Sequence, residues 1–139
     1  MTNTPKKYKH KKLHKGKLNN IIIENPFLKD NMKFGNVCLI SIQAGRIFPN
    51  QIINCKQFLN KNLKKIAKIK INVFPHTPIT KKPLEIRMGK GKGSVDTWAA
   101  NTFSGTKLFE IESPNIKRVI KVLTQIKNKL SIKTKIVYE

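Results

Sequence analysis

Acidic residues are scarce in this chain. Among 139 residues only Glu24, Asp30, Glu85, Asp96, Glu110, Glu112 and Glu139 are acidic, against 29 lysines and arginines, and the formal charge is +22. So few and so scattered, the carboxylates supply no paired acid and base for hydrolysis. Glu110 and Glu112 fall on one side of a strand-like stretch, and nothing else supports a glycosidase-type pair. Cysteine is almost absent: Cys38 and Cys55 make no framework, and buried thiols are the expectation, with a single disulfide as the alternative. Neither has the paired spacing of a zinc site. Long apolar runs are missing too. The longest, Ile21–Ile23 and Val37–Ile40, are far short of a membrane span. No apolar core follows the charged N-terminus, and the Arg/Ser amphipathic look of a transit peptide is absent. The expectation is a soluble chain with no membrane partner and no import label of its own.

Arginine is the other shortage. Only Arg46, Arg87 and Arg118 are arginine, so 26 of the 29 basic residues are lysine, while isoleucine (19) and asparagine (14) are abundant. Lys, Ile and Asn are residues of A/T-rich codons, and the skew reads as base composition, with organelle DNA the natural candidate. What is present is an excess of positive charge beyond what solubility needs, destabilising through self-repulsion and suited to a polyanion. With 39% apolar residues the chain is no mere basic tail. Its length suits a single modest core without metal or disulfide.

Residues 1–20 read as an extended basic arm, with seven lysines from Lys6 to Lys17 and Tyr8, His10 and His14 between them. No apolar period ties this arm to a core. The histidines are expected to meet RNA or solvent rather than zinc. Residues 21–139 read as one domain, opening with a connector over 21–35 that Asn25-Pro26 interrupts. Val37–Gln43 reads as a strand. Pro49 marks a helix start, with Asn50 a possible cap. Ile52, Cys55, Leu59, Leu63 and Ile66 then recur as one helical face. Lys56, Lys61, Lys64, Lys65 and Lys68 lie mostly off that face, where the global charge favours phosphate contact.

Ile69–Phe74 alternates as a half-buried strand, and Leu84–Met88 reads as another, with Leu84, Ile86 and Met88 on one side. Strands follow around Thr97–Asn101 and Lys107–Ile111. Trp98 is expected in the core, with base stacking as the alternative. Ser113-Pro114 reads as a cap and first-turn proline for a helix burying Ile116, Val119, Ile120, Leu123 and Ile126. Ile132–Tyr138 reads as the last strand. Strands interrupted by two helices give an α+β class, with helices on a mixed or antiparallel sheet.

The segment MGKGKGS, residues 88–94, fits neither nucleotide-binding glycine fingerprint. Gly89, Gly91 and Gly93 let the backbone approach a ligand closely and expose its N–H groups, and Lys90 and Lys92 add point charges. The reading is a phosphate-cradling finger. An enzyme of phosphorylated substrates is an alternative that lacks an acid, base or metal set. A general DNA-compacting protein is another.

The stretches PKKYKHKKLHKGK (5–17), GRIFPNQI (45–52), VFPHTPITKKPLEIRMGKGKGS (73–94), GTKLFEI (105–111) and LSIKTKIV (130–137) resemble ribosomal protein L-sixteen of the large subunit, in its bacterial and organellar form. That resemblance implies a hammerhead-like α+β sandwich, no catalytic residue and no cofactor or metal. It implies late assembly and a place on large-subunit rRNA beside A-site tRNA and neighbouring large-subunit proteins, not as a homo-oligomer. By match, rRNA contact falls to Lys6, Lys7, Lys9, Lys11, Lys12, His14 and Lys15; Arg46 and, from the charge of the first helix's outer face, Lys56, Lys61, Lys64 and Lys65 are further candidates for rRNA contact. The loop Arg87, Met88, Gly89, Lys90, Gly91, Lys92 and Gly93 is implied to face tRNA and the peptidyl-transferase centre. Where the family's first helix carries Glu-Ala-Ala-Arg-Arg, this chain has Ile53-Asn54-Cys55-Lys56-Gln57, so one paired basic position is lost. Lysine in place of the family's arm arginines keeps charge but loses the bidentate fork. The same drift favours a mitochondrial ribosome over a plastid one.

Overall fold

The computed structural model describes residues 4–8, 12–18, 32–63 and 66–138. In chain order the elements are β1 (Val37–Ser41), β2 (Gly45–Ile47), α1 (Pro49–Leu63), β3 (Lys68–Ile71), β4 (Thr77–Lys81), β5 (Ser94–Thr102), β6 (Lys107–Glu112), α2 (Ile116–Lys127) and β7 (Thr134–Tyr138). The α+β expectation holds. The strands divide into two sheets, ordered β3-β6-β1-β7 and β2-β5-β4, and every pairing is antiparallel.

The central strand explains its own sequence. All five residues of β1, VCLIS, are buried, because both faces of the larger sheet are covered there. Val37 and Leu39 face the helices, whereas Cys38 and Ile40 pack on the opposite side with Val137 and Met32. A strand covered on both faces loses the apolar–polar alternation of a half-exposed one. Register aligns the core across strands: Ile69 and Val37 flank Ile111, and Ile71 and Leu39 flank Phe109.

The helix α2 lies against β1 and β7 of this sheet, and α1 packs beside α2 and against β5. The apolar face of α1 buries Ile52, Cys55, Leu59 and Leu63, as the spacing predicts, while Ile66 lies beyond the helix and is half-buried. Pro49 occupies the first helical position. The start is closed by Gln51, whose Oε1 accepts from the Phe48 amide at 3.0 Å, and not by Asn50. This is the returning half of a capping box, supplied from the third helical position. The second helix begins two residues later than its Ser-Pro pair suggests. Asn115 caps it, its Oδ1 accepting from the Arg118 amide at 3.1 Å. Ser113 is instead buried against the end of α1, donating to the Ile66 carbonyl at 3.3 Å. The buried face of α2 is Val119, Val122, Leu123 and Ile126; Val122 replaces the expected Ile120, which is half-buried.

The smaller sheet is built on β5, the longest strand. Its C-terminal half pairs with β2 and its N-terminal half with β4, so one strand bridges the core and the outer hairpin. Pro78 sits within β4, which tolerates a missing N–H because it is an edge strand. Both cysteines are buried free thiols. Among the described residues no helix is long and apolar enough to cross a membrane.

Candidate nucleic-acid interface

The glycine segment is the tip of the β4–β5 hairpin. Lys81 pairs with Ser94, and residues 82–93 project beyond that closing pair. At the tip Gly89 (φ 96°), Lys90 (φ 51°) and Gly91 (φ 93°) are successive left-handed residues. Glycine adopts this conformation without steric cost, and the two glycines carry the turn on either side of Lys90. Gly93 serves another purpose: a Cβ there would lie 2.5 Å from the Lys81 carbonyl oxygen, so only glycine lets the strands close at the base. Lys82 Nζ donates back to the Gly89 carbonyl inside the loop. Arg87, Met88, Lys90 and Lys92 all face solvent.

Residues 84–88 are not the strand that their alternation predicts. They form a turn in which the Ile86 amide donates to the Pro83 carbonyl at 3.3 Å. Among the described residues no strand pairs with them, so the alternation has no sheet face to bury. Leu84 and Met88 are 98% and 97% exposed and Ile86 is 56% exposed.

The structure brings the arm to this finger. Tyr8 packs edge-to-face on Trp98 of β5, with ring centroids 5.0 Å apart and planes at 73°. Trp98 is therefore half-buried under the arm rather than a core residue. Further along, arm and finger exchange lysines: Lys12 Nζ donates to the Lys92 carbonyl at 3.0 Å, and Lys92 Nζ donates to the Leu13 carbonyl at 2.5 Å. Arg46 of β2 completes the seat, its Nη2 donating to the carbonyls of Lys15 at 2.7 Å and Gly16 at 2.9 Å. Lys6, Lys7, Lys12, His14 and Lys15 are exposed along the docked arm. Lys9, His10, Lys11, Lys64 and Lys65, with connector residues 21–31, lie outside the described residues.

Arg46 thus has an anchoring job that sequence reasoning missed. The signal was the scarcity of arginine itself. Of three arginines, Arg46 holds the arm and Arg118 Nη2 donates to the Asn62 carbonyl at 3.3 Å, tying α2 to the end of α1. Both bonds to the arm come from the one nitrogen Nη2. Lys56 is half-buried and Lys61 exposed on α1; among the described residues no hydrogen bond or ion pair joins either to the arm or finger.

Nothing near the finger suggests catalysis. Among the described residues no group of three or more His, Cys, Asp or Glu is placed to hold a metal ion. Burial pushes the Cys38 thiol up to about 12, helped by the negative charge of Glu110 and opposed by Lys107. Burial likewise raises Cys55 to about 11 against the pull of Lys129. Both thiols stay protonated and unreactive near neutral pH. Glu110 is itself buried opposite Cys38, with Oε2 lacking a hydrogen-bond partner. Lys68 and Glu112 pair at 3.3 Å, but both side chains are more than half exposed, so the pair is worth at most about 1 kcal/mol. The exposed lysines of the arm and finger present dense positive charge, an arrangement suited to phosphate.

The sequence is similar to known proteins over nearly its whole length. The sequence model of the family described as Ribosomal protein L16p/L10e matches residues 5–137. The large ribosomal subunit protein uL16 of Buchnera aphidicola subsp. Cinara cedri is 39% identical over 130 residues, covering 94% of this chain and 92% of the relative. The uL16 proteins of Rhodopseudomonas palustris strain BisA53 and Afipia carboxidovorans are 36% and 37% identical over 133 residues, each covering 96% of this chain and 94% of the relative.

Proposed function

Because the chain belongs to the ribosomal protein L16p/L10e family, whose members are structural constituents of the large ribosomal subunit and not enzymes, we propose that its arm and finger act there as one RNA-binding surface. Family membership makes rRNA and other large-subunit proteins its partners. The finer reading is ours: the arm, residues 1–20, binds large-subunit rRNA, and the finger, Arg87 to Gly93, helps position A-site tRNA near the peptidyl-transferase centre. In this reading residues 21–139 form the single domain that carries both, and the chain joins the subunit late. The observation that carries the proposal is the Arg46 anchor together with the Lys12–Lys92 exchange. These contacts turn two separate basic segments into one continuous face. Lysines dominate that face, so binding draws on released counterions. With about 8 phosphates neutralised, the log–log salt slope is about −6 to −7. The lysine, isoleucine and asparagine skew supports a mitochondrial ribosome as its location.

The test is the double variant Lys90→Ala, Lys92→Ala in reconstituted large subunits. Both side chains are exposed, so the fold should persist while A-site tRNA binding weakens. Unchanged A-site affinity would overturn the assignment of the finger to tRNA.

A further inference from the structure

Scattered exposed leucines are ordinary on protein surfaces. The finger is different. Leu84, Ile86 and Met88 fall within five residues, and Leu84 and Met88 are almost wholly exposed, whereas exposed Phe74 and Phe103 are each 51% exposed. None of the three joins either apolar cluster of the core. They stand among Lys81, Lys82, Arg87, Lys90 and Lys92, with Glu85 as the loop's own acidic residue. An occupant of this loop must present negative charge and flat apolar surface together. An RNA segment with unstacked bases does both: its phosphates meet the cations, and its base faces meet the apolar side chains.

We propose that Leu84 and Met88 form an apolar seat for the faces of unpaired RNA nucleobases, while Arg87, Lys90 and Lys92 hold the flanking phosphates. The proposal rests on the finger being an RNA-binding element, and adds that part of its affinity is apolar and independent of salt. Ile86, half-exposed between the two, lies beside the seat.

Salt dependence separates the two kinds of contact. The probes are a short RNA hairpin with an unpaired loop carrying 2-aminopurine, and a blunt RNA duplex of the same length. Binding by the full chain is titrated over a range of salt concentrations. The seat predicts that Leu84→Ala and Met88→Ala each weaken hairpin binding about fivefold or more at every salt concentration, leaving the log–log slope unchanged. Duplex binding should change less than twofold, and the fluorescence change of 2-aminopurine on binding should shrink. Lys90→Ala with Lys92→Ala should instead make the slope shallower by about 1 to 2. Leu84, Met88 and Lys90 are exposed, which keeps folding out of the readout, and Lys90→Ala alone, which leaves the Lys92 bond to the Leu13 carbonyl in place, separates a lost phosphate contact from release of the arm.

If the lysine variants change the slope but the apolar variants leave hairpin affinity unaltered, the seat is refuted and the RNA-binding finger stands. An equal loss on hairpin and duplex also refutes it, because a duplex offers no free base faces. Slope and affinity unmoved by any of these variants would refute the finger's role in RNA binding and the seat with it. Apolar variants that bind both RNAs normally yet fail to enter large subunits would identify a neighbouring protein as the occupant and overturn the proposal.

Discussion

The three glycines of the finger look equivalent in sequence but should behave differently when replaced. At Gly93 an alanine Cβ would lie 2.5 Å from the Lys81 oxygen and 2.8 Å from its carbonyl carbon. Those are backbone atoms of a paired strand, so the strand end must move. Overpacking of this kind costs about 1–3 kcal/mol. For a chain of this length each kcal/mol lowers the melting temperature by about 3–5 °C, so Gly93→Ala should melt roughly 3–15 °C lower. At Gly89 and Gly91 nothing lies within 4 Å of the added methyl, and the obstacle is the positive φ alone. Holding alanine in that conformation costs about 1–2 kcal/mol. The open loop avoids the cost by leaving the conformation, so stability should move by about 0.5 kcal/mol or less while the tip changes shape. Thermal unfolding followed by circular dichroism compares all three variants directly. If Gly89→Ala or Gly91→Ala melts as low as Gly93→Ala, the distinction between packing and conformation is wrong.

Replacing Arg46 by lysine should loosen the arm. It removes a guanidinium that donates to two carbonyls, each hydrogen bond being worth about 0.5–1.5 kcal/mol. A loss of about 1–2 kcal/mol lowers the docked-to-undocked ratio roughly 5–30-fold, which limited trypsin cleavage within residues 5–17 would report; unaltered arm protection would count against the anchor. Alkaline stability follows from the two thiols. Above the ordinary thiol value of 9.0 the unfolded chain loses these protons, whereas the folded chain holds them to about 11 at Cys55 and about 12 at Cys38. The unfolded state then binds fewer protons, so this contribution to stability is complete below pH 9 and is lost as pH rises towards 11 and 12. Urea unfolding should therefore weaken more steeply with rising pH in the wild type than in a Cys38→Ala, Cys55→Ala variant; parallel pH profiles would show that the buried thiols do not contribute.

Much was legible from local pattern. The α1 face was readable because Ile52, Cys55, Leu59 and Leu63 repeat at helical spacing and bury together. The loop at 88–94 was readable because closely spaced glycines permit the left-handed turn that Gly89 and Gly91 make. Two misreadings share a physical origin. Alternation at 84–88 and the size of Trp98 both suggest burial, but burial depends on a partner surface that local sequence does not contain. The loop found none, and Trp98 found the arm.

By itself the sequence determined the excess of positive charge, the α+β class and the family, because charge, periodicity and a specific motif are local properties. Tertiary structure alone decided that arm and finger are a single surface. Tyr8 meets Trp98, Lys12 meets Lys92 and Arg46 reaches Lys15 across separations of 31 to 80 residues for the hydrogen bonds. Such contacts exist only once β2 and β5 pair and bring Arg46 and the hairpin into one sheet. The scarcity of arginine also acquires a structural side: in a chain that places lysine at nearly every basic position, Arg46 and Arg118 each donate through Nη2 to backbone carbonyls of a distant segment.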